Sequence, residues 1–342
     1  MSKHSICILG GTGFVGSHLV PALAAAGHDI LLPTRNRERN RSLLVLPTVR
    51  VQTMNIHNES GLRRAFSDVD VIINLVGILN ERGRDGSGFR KAHVELTRKA
   101  VDAAKACGVR RFLQMSALKA NAGSGPSHYL KTKGEAEDIL RREVGTDLDW
   151  TIFQPSVIFG PGDSFTNRFA SLLRLSPLLL PLAKPNARLA PVFVGDVVAA
   201  FVRCLDDPAC FRQTYQLCGP QVVSLRELVQ IIADATATRR RLIGLSDMLS
   251  KAQARIMDFV PGKPFSTDNY LSLTVHNICD ENGFKKLGLT PRSLKTQLPR
   301  ALVTAMPGNV TRYFAKPSRA EAGSWTDVTD ARPALARRAC RQ

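Results

Sequence analysis

The sequence predicts an α/β fold, in which a doubly wound parallel sheet is followed by a smaller C-terminal substrate domain. Three observations predict it. Short apolar segments alternate with amphipathic ones through the first half of the chain, a glycine-rich turn separates the first two, and six prolines interrupt the chain between residues 155 and 191. The chain has 342 residues, 44% of them hydrophobic, which is enough to bury a core and excludes a disordered or fibrous protein.

The spacing of apolar residues predicts each element in turn. Strands are predicted at residues 6–9, 29–32, 49–54, 69–75, 111–115 and 150–153, and a further strand at 214–218 could rejoin the sheet. Helices are predicted at about 15–26, 59–66, 89–107 and 128–144, because apolar residues recur there at every third or fourth position. In the second half, helical spacing returns at 196–206 and 224–235.

The charge of the chain favours an anionic partner. Lysine and arginine exceed aspartate and glutamate by 18, which leaves nucleic acid, acidic lipid and phosphorylated small molecules open. Aromatic residues make up only 6% of the chain, and the arginine clusters at 35–41, 239–241 and 337–341 belong to different elements. No specific nucleic-acid site is therefore expected.

The glycine-rich turn at residues 10–16 lies between the first predicted strand and the first predicted helix. Gly10 permits the tight turn, Gly13 lets the backbone approach a pyrophosphate, and Gly16 lets the helix pack closely on the sheet. Free N–H groups at the start of the helix would bind the phosphates. This context predicts a dinucleotide site of the Rossmann type, in which Thr12, Phe14 and Val15 also contact the cofactor.

The segment after the second strand indicates which dinucleotide is bound. NAD sites usually carry a carboxylate there, whereas this chain has Arg35 and, four residues later, Arg39. Guanidinium groups can bind a 2′-phosphate in bidentate fashion. NADP(H) is therefore favoured as the cofactor, and NAD(H) stays open.

Three residues form a candidate catalytic group. Ser116 ends the fifth strand, and Tyr129 and Lys133 follow on the next helix at a spacing that puts both on one face. Tyr129 would act as acid or base, Lys133 would tune its pKa and orient the nicotinamide ribose, and Ser116 would hold a substrate oxygen. The residues would support hydride transfer between a nicotinamide and a carbonyl, a hydroxyl or a related carbon.

Over residues 5–300 these motifs resemble the extended or atypical kind of the short-chain dehydrogenase/reductase superfamily, the NAD-dependent epimerase/dehydratase-like proteins. The segments 148–153 and 267–272 are similar to those of bacterial relatives of the nucleotide-binding accessory subunit of respiratory complex I, which in turn resemble reductase-like proteins of ubiquinone biosynthesis. The resemblance implies tightly held NADP(H) and a site between two domains. It also assigns further cofactor contacts, namely Asn55, Ile56, Leu75, Val76, Gly77, Pro155 and Val157.

The sequence departs from this family at three positions. Asn55 stands where many relatives have an aspartate, Gln154 replaces the usual arginine, and Phe159 replaces the usual tyrosine. The last two changes weaken the case for a nucleotide-sugar substrate, because groups suited to diphosphate and sugar contacts are missing. The leading hypothesis is an NADP(H)-binding oxidoreductase linked to complex I or ubiquinone. The alternatives are a non-catalytic NADPH-binding structural or assembly subunit, and a nucleotide-sugar epimerase or dehydratase.

The domain boundaries follow from the changes in pattern. Residues 1–160 form the NAD(P)-binding domain, whose sheet would be completed by about residues 190–220, and residues 161–310 form the smaller, partly interleaved domain. Residues 311–342 are basic, lack periodicity and are predicted to be disordered. The apolar segment 169–182 would line a pocket for a quinone-like molecule, touch an anionic bilayer through Arg168, Arg174 and Lys184, or simply pack in the core as a proline-bent helix.

No apolar run reaches the length of a transmembrane helix, and the N-terminus offers only the short apolar run 6–9 where a signal peptide needs a longer one. A cytoplasmic protein is therefore expected, with a peripheral position on the inner face of the inner membrane as an option. The seven cysteines are scattered and odd in number, and none forms a Cys-x-x-Cys pair. They are expected to be reduced thiols, and no metal site is expected.

Overall fold

The computed structural model describes residues 2–238, 240–261 and 263–304. Over the first half, the described chain forms strands and helices in alternation. They are β1 (Ser5–Leu9), α1 (Phe14–Ala25), β2 (Asp29–Thr34), β3 (Val49–Thr53), α2 (Glu59–Phe66), β4 (Val71–Asn74), α3 (Ser87–Arg90), α4 (Leu96–Ala106), β5 (Arg111–Met115), α5 (His128–Glu143) and β6 (Asp149–Pro155). The predicted tail at 311–342 lies outside the described residues.

The second half has shorter elements. They are β7 (Ile158–Phe159), α6 (Ser164–Leu175), β8 (Leu179–Leu182), β9 (Arg188–Leu189), β10 (Val192–Phe193), α7 (Val194–Arg203), β11 (Gln213–Leu217), β12 (Val223–Ser224), α8 (Leu225–Ala235), β13 (Arg241–Gly244), α9 (Asp247–Met257), α10 (Thr267–Ser272), α11 (Gly283–Lys286) and α12 (Leu294–Thr304). Each predicted strand and helix has an observed counterpart whose ends differ by a few residues, whereas most of the other short elements of the second half were not predicted.

Seven strands of the described chain form one parallel sheet in the order β11-β6-β5-β4-β1-β2-β3. This is the doubly wound, Rossmann-like arrangement that the sequence predicts. The returning strand β11 pairs in parallel with β6, so a segment beyond residue 200 does complete the sheet. The division of the chain into domains at residues 160 and 310 stays a prediction.

Helices cover both faces of the sheet, which explains why its central strands are apolar along their whole length. On one face, Leu19 of α1 and Phe201 of α7 pack in the same buried cluster as Ile6 and Ile8 of β1. On the other face, residues of α2, α4 and α5 pack against Cys7 of the same strand. The alternation of β1 side chains between two cores fixes its register.

A separate hydrophobic cluster lies in the smaller part of the chain, formed mainly by α6, β8, α8 and α12. The apolar segment 169–182 contributes to it but is not one bent helix. Helix α6 ends at Leu175 and the chain continues as β8 after Pro177, because the residue before a proline disfavours the helical conformation. Leu173, Leu180 and Leu182 of this segment are buried.

Two other expectations need correction. Cys218 and Cys279 form a disulfide that ties the end of β11 to the chain after α10, so the expectation of seven reduced thiols is wrong for this pair. Their sequence separation of 61 residues carried no signal of their proximity. The predicted helix at 89–107 is interrupted, because one π-helical turn at Lys91–Glu95 separates α3 from α4.

No helix within the described ranges is long and apolar enough to cross a membrane.

Candidate functional site

A cleft of about 1060 Å³ runs along the carboxyl ends of the sheet strands, from the glycine-rich turn to the apolar cluster of the smaller part. This is where ligands bind in open parallel sheets. The cleft is bounded on one side by the ends of β1, β2, β4 and β5, and on the other by α6, β8 and the segment around Phe265.

The glycine-rich turn leaves room that side chains would fill. Gly10 has a φ of 75°, and a Cβ there would lie 3.0 Å from the backbone nitrogen of Val76. A Cβ on Gly16 would lie 2.2 Å from the carbonyl oxygen of Gly11, so α1 can approach the turn only with glycine at this position. Helix α1 begins at Phe14 without a side-chain cap and without an acidic residue in its first turn. Its N-terminus is therefore suited to an anionic group such as a pyrophosphate.

Most residues predicted to contact the cofactor or substrate line this cleft. They are Gly10, Thr12, Gly13, Phe14, Val15, Gly16, Arg35, Ile56, Leu75, Val76, Gly77, Ser116, Tyr129, Lys133, Pro155 and Val157. Asn55 does not line it, because its side chain is exposed and accepts a hydrogen bond from the His57 N–H at 3.0 Å. The side chain of Arg39 lies outside the described part of the chain.

Positive charge gathers at the end of the cleft beyond β2. Arg35, His57 and Lys91 line it, and the Lys99 Nζ donates to the His57 carbonyl oxygen at 3.1 Å. The pKa of His57 is lowered first by burial and then by the charges of Lys91, Lys99 and Arg35. The sequence motif identified Arg35. Lys91 and Lys99 belong to a segment predicted only as a helix, and their position at this end of the cleft became evident from the fold.

Ser116 takes part in a buried polar cluster. Its hydroxyl donates a hydrogen bond to the carboxylate of Glu137, and the Gln154 side-chain amide donates to both Glu137 oxygens at 2.8 and 2.9 Å. Arg141 lies 2.9 Å from the same carboxylate. Burial raises the pKa of Glu137, and the hydrogen bonds and Arg141 oppose that shift. Glu137 lies one helical turn beyond Lys133, and the sequence reasoning missed it.

Tyr129 and Lys133 face the cleft from α5, which begins at His128 with Ser127 as its cap and Asp268 as a second acceptor for its first N–H groups. The Lys133 Nζ donates to the carbonyl oxygens of Met115 and Val76, at 3.0 and 3.3 Å. Burial lowers the pKa of Lys133 to about 8. Burial, with the charge of Asp268, raises the pKa of Tyr129 to about 12. In this arrangement Tyr129 is protonated at neutral pH.

His93 is a second residue that sequence reasoning missed. It lies in the π-helical turn, its Nε2 accepts from the Ile78 N–H at 3.2 Å, and its Nδ1 lies 2.9 Å from the Thr132 hydroxyl. Its ring packs at right angles to that of Tyr129, with centroids 5.6 Å apart. Burial, with the charge of Lys133, lowers the pKa of His93 to about 2, so the ring is neutral. It joins the loop after β4 to helix α5.

The end of the cleft farther from the glycine-rich turn, called the apolar arm below, has a largely apolar lining. Side chains of α6, β8 and the chain after residue 260 line it, namely Phe165, Phe169, Leu172, Leu182, Phe265 and Leu273. Arg168 is a charged exception, and its guanidinium donates to the Pro264 carbonyl oxygen at 3.0 Å. Such a lining favours a ligand with a hydrophobic body and few polar groups.

Two departures from the family pattern lie away from the cleft. Gln154 is bound to Glu137, and Phe159 is fully buried against Phe193. Neither side chain lines the cleft as the structure describes it. They therefore count less against a nucleotide sugar than the sequence suggested. In the described ranges no group of three or more metal-binding side chains could hold an ion.

The sheet, the glycine-rich turn and the cleft define a nicotinamide-dinucleotide-binding protein of the Rossmann type. A family model described as NAD(P)H-binding matches residues 10–167. The chain is 30% identical to the NADH dehydrogenase [ubiquinone] 1 alpha subcomplex subunit 9 of Arabidopsis thaliana mitochondria, over 84% of this chain and 74% of that protein. It is also 30% identical to a ceramide reductase of Caulobacter vibrioides, over 71% of this chain and 74% of the enzyme.

Solved structures share the fold. The UDP-glucose 4-epimerase of Thermotoga maritima superposes with a TM-score of 0.67 at 17% identity, covering 88% of this chain and 99% of the epimerase. The chain thus belongs to the extended, or atypical, short-chain dehydrogenase/reductase superfamily, in the group that includes this accessory subunit of respiratory complex I.

Proposed function

We propose that the protein is an NADP(H)-dependent reductase that acts on a hydrophobic, quinone-like substrate, in the biology of respiratory complex I or ubiquinone. The observation that carries this is the continuity of the cleft. It leads from the glycine-rich turn past Ser116 and Tyr129 into an arm lined by phenylalanine and leucine. A dinucleotide at one end and an apolar molecule at the other would meet beside these two hydroxyl groups.

The residues present fit NADP(H) better than NAD(H). The residue directly after β2 is Arg35 rather than a carboxylate, and Lys91 lines the same end of the cleft. A 2′-phosphate would be attracted by this charge, whereas NAD(H) would leave the cations without a partner. Arg39, predicted as a second ligand, belongs to the same proposal.

Each residue near the centre of the cleft has a distinct task. The bound nicotinamide supplies the hydride in such a reduction. Tyr129 is protonated and would donate its proton to the substrate oxygen as the carbon is reduced. Lys133, held by two backbone carbonyls, would fix the ribose and restore the tyrosine proton through its own ammonium group. The Ser116 hydroxyl donates its proton to Glu137, so toward the cleft it would act only as an acceptor, for the Tyr129 hydroxyl or for the hydroxyl of the reduced product.

A second function is a structural or assembly subunit that holds NADPH without turnover. Relatives named as complex I subunits favour it. So does the environment of Tyr129, because burial and Asp268 oppose formation of the phenolate. An epimerase or dehydratase of nucleotide sugars is a third candidate, favoured by the solved structures of similar fold. The lining of the apolar arm opposes this third function.

The cellular setting is part of the proposal. A cytoplasmic protein at the inner face of the inner membrane would meet both NADPH and a membrane-soluble substrate. Association with a respiratory complex is suggested by relatives whose names place them in mitochondrial complex I.

Mass spectrometry of the purified full chain, applied to the molecules that co-purify with it, tests the proposal. NADP(H) together with a quinone-like or other lipid-like molecule is the expected result. UDP-sugars in place of the apolar molecule would instead establish the third candidate. To separate the first two functions, Tyr129→Phe is compared with Tyr270→Phe, which lies outside the cleft lining. An enzyme loses the ability to rescue a deletion strain only with Tyr129→Phe, whereas a structural subunit keeps it with both.

A further inference from the structure

We propose that the exposed faces of α9 and of the β8–β13 pair form a docking surface for an anionic lipid bilayer. The docking surface comprises Leu178, Leu179, Ile243, Met248, Ile256 and Phe259, all exposed in the described structure. The inference rests on the proposed function only in placing the protein at a membrane. It adds which part of the molecule makes contact and which chemistry it recognises.

Helix α9 is oriented with its apolar side outward. Its buried side carries the small residues Ser250 and Ala254, whose relative exposure is 0%. Met248, Ile256 and, just beyond the helix, Phe259 are 77%, 65% and 72% exposed. At 100° per residue these three side chains lie on one side of the helix axis. A helix that buries its small residues and exposes its large ones is typical of contact with a second apolar phase.

The two-stranded sheet continues this pattern. In the parallel register of β8 and β13, Leu179 is opposite Arg241 and Pro181 is opposite Ile243. These four residues are exposed, whereas Leu180 and Leu182, which alternate with Leu179 and Pro181 along β8, are buried. Since alternate residues of a strand share a face, the exposed ones form one surface. Leu245 follows β13, donates to the Leu182 carbonyl oxygen, and leads directly into α9.

Charge decides which partner fits. Residues 174–184 and 240–260 contain six basic and two acidic side chains. The acidic ones are engaged, since Asp247 pairs with Lys184 at 2.5 Å and Asp258 accepts from the Thr267 hydroxyl. Arg174, Arg241, Lys251 and Arg255 belong to the same segments as the apolar side chains and are exposed as well. Exposed apolar side chains together with exposed cations match the acyl chains and phosphate groups of an anionic leaflet.

The C-terminal segment of this chain is a poorer match for the same surface. Residues 305–342 carry seven basic and three acidic side chains, which is the same sign of charge as the docking surface. Like charges would oppose its attachment there. The bilayer is therefore the favoured occupant.

The docking surface and the cleft share secondary-structure elements. Gln253 of α9 and Pro181 and Leu182 of β8 line the cleft. A bilayer in contact with the outer sides of these elements would lie close to the apolar arm. A membrane-dissolved molecule could then enter that arm without crossing bulk water.

Co-sedimentation of the full chain with lipid vesicles tests the docking surface. Vesicles of phosphatidylcholine with about 30% phosphatidylglycerol should bind the protein, pure phosphatidylcholine vesicles should bind it at least about tenfold less, and about 0.5 M salt should weaken the binding. Two variants target the surface. Met248→Ser/Ile256→Ser/Phe259→Ser removes apolar contacts, and Lys251→Gln/Arg255→Gln removes charge. Each should weaken vesicle binding by about tenfold or more.

Matched controls distinguish vesicle binding by this surface from nonspecific binding through any exposed apolar or basic side chain. Val45→Ser removes an apolar side chain that is 72% exposed elsewhere, and Arg50→Gln removes an exposed cation of β3. Arg337→Gln/Arg338→Gln lowers the charge of the C-terminal segment. Vesicle binding should be unchanged in all three. Each variant is also titrated with NADPH, so that loss of the cofactor site is not mistaken for loss of docking.

Unchanged vesicle binding in both surface variants would overturn the inference, as would loss of binding in the C-terminal variant alone. Equal binding to neutral and anionic vesicles would also contradict it. If vesicle binding behaves as expected but NADPH does not bind, the docking surface stands and the proposed function fails.

Discussion

The hydroxyl of Ser116 donates a hydrogen bond to the buried carboxylate of Glu137. This carboxylate also accepts from Gln154 and pairs with Arg141, so Glu137 joins the cleft to strand β6 and to the outer side of α5. Ser116, a residue of the proposed reaction, is thereby held in place by Glu137, which does not line the cleft.

Replacing Glu137 should destabilise the fold. Glu137→Ala would leave Ser116 and Gln154 without their shared acceptor in a buried place, at a cost of about 2–3 kcal/mol in the free energy of unfolding. Urea unfolding measures it. Glu135→Ala on the same helix is the control, because Glu135 is half-buried and pairs with the exposed Arg90. Its expected cost is below about 1 kcal/mol. Equal losses in the two variants would mean that the buried cluster contributes no special stability.

The neutral state of His93 predicts a dependence of stability on pH. The pKa of His93 is about 2 in the folded protein, against 6.5 for an ordinary histidine, so below pH 6.5 the unfolded chain binds a proton that the folded chain does not. Stability should therefore fall with decreasing pH, by about 1.4 kcal/mol per pH unit from this residue alone. In His93→Gln this part of the slope between about pH 6 and 4 should disappear.

Urea unfolding across that pH range measures the slope. His276→Gln, at an exposed position, serves as the control. A slope that is the same in His93→Gln and in the wild type would show that His93 does not stay neutral in the folded protein.

Gly16 should tolerate no side chain. A Cβ would lie 2.2 Å from the Gly11 oxygen, so Gly16→Ala must displace α1 from the turn. We expect a loss of about 1–3 kcal/mol in stability and a large loss of NADPH affinity. Calorimetry and fluorescence titration measure the two. In Gly27→Ala the new Cβ meets nothing within 4 Å, so only the strain of a φ of 88° remains and NADPH binding should be unaffected. Normal NADPH affinity in Gly16→Ala would contradict the assigned role of the turn.

The disulfide between Cys218 and Cys279 should be detectable directly. Non-reducing peptide mapping by mass spectrometry should find the two residues linked and Cys107 alkylated. Reduction should lower stability by about 2–4 kcal/mol, since the bond closes a loop of about 60 residues. Free thiols at both positions in protein purified without reductant would mean that the bond does not form.

The fold could be predicted from the sequence because its signals are local. The apolar strands, the glycine-rich turn and the spacing of Tyr129 and Lys133 are each legible within about 20 residues, and a parallel sheet brings their ends to one edge. The sequence also predicted that a strand near residue 214 could rejoin the sheet, but it did not indicate that this strand, β11, would pair with β6.

The missing parts are those that depend on distant contacts. Glu137 and Gln154 meet across α5 and β6, and His93 contacts Ile78 across a loop. A polar residue on a predicted helix or strand gives no sign of which polar group it will meet in the folded chain. The outward apolar side of α9 was equally hidden, because periodicity identifies the apolar face but not the direction in which it points.

The ratio of the affinities for NADPH and NADH is the decisive measurement for the proposed cofactor. Fluorescence titration of the full chain should show NADPH binding at least about tenfold tighter than NADH, because Arg35 would bind the 2′-phosphate through charge-assisted hydrogen bonds. In Arg35→Ala the advantage should fall to near unity, while Arg37→Ala, at an exposed position two residues further on, should keep it. Equal or tighter binding of NADH by the wild-type protein would contradict the assignment of NADP(H) as the cofactor and of Arg35 as its 2′-phosphate ligand.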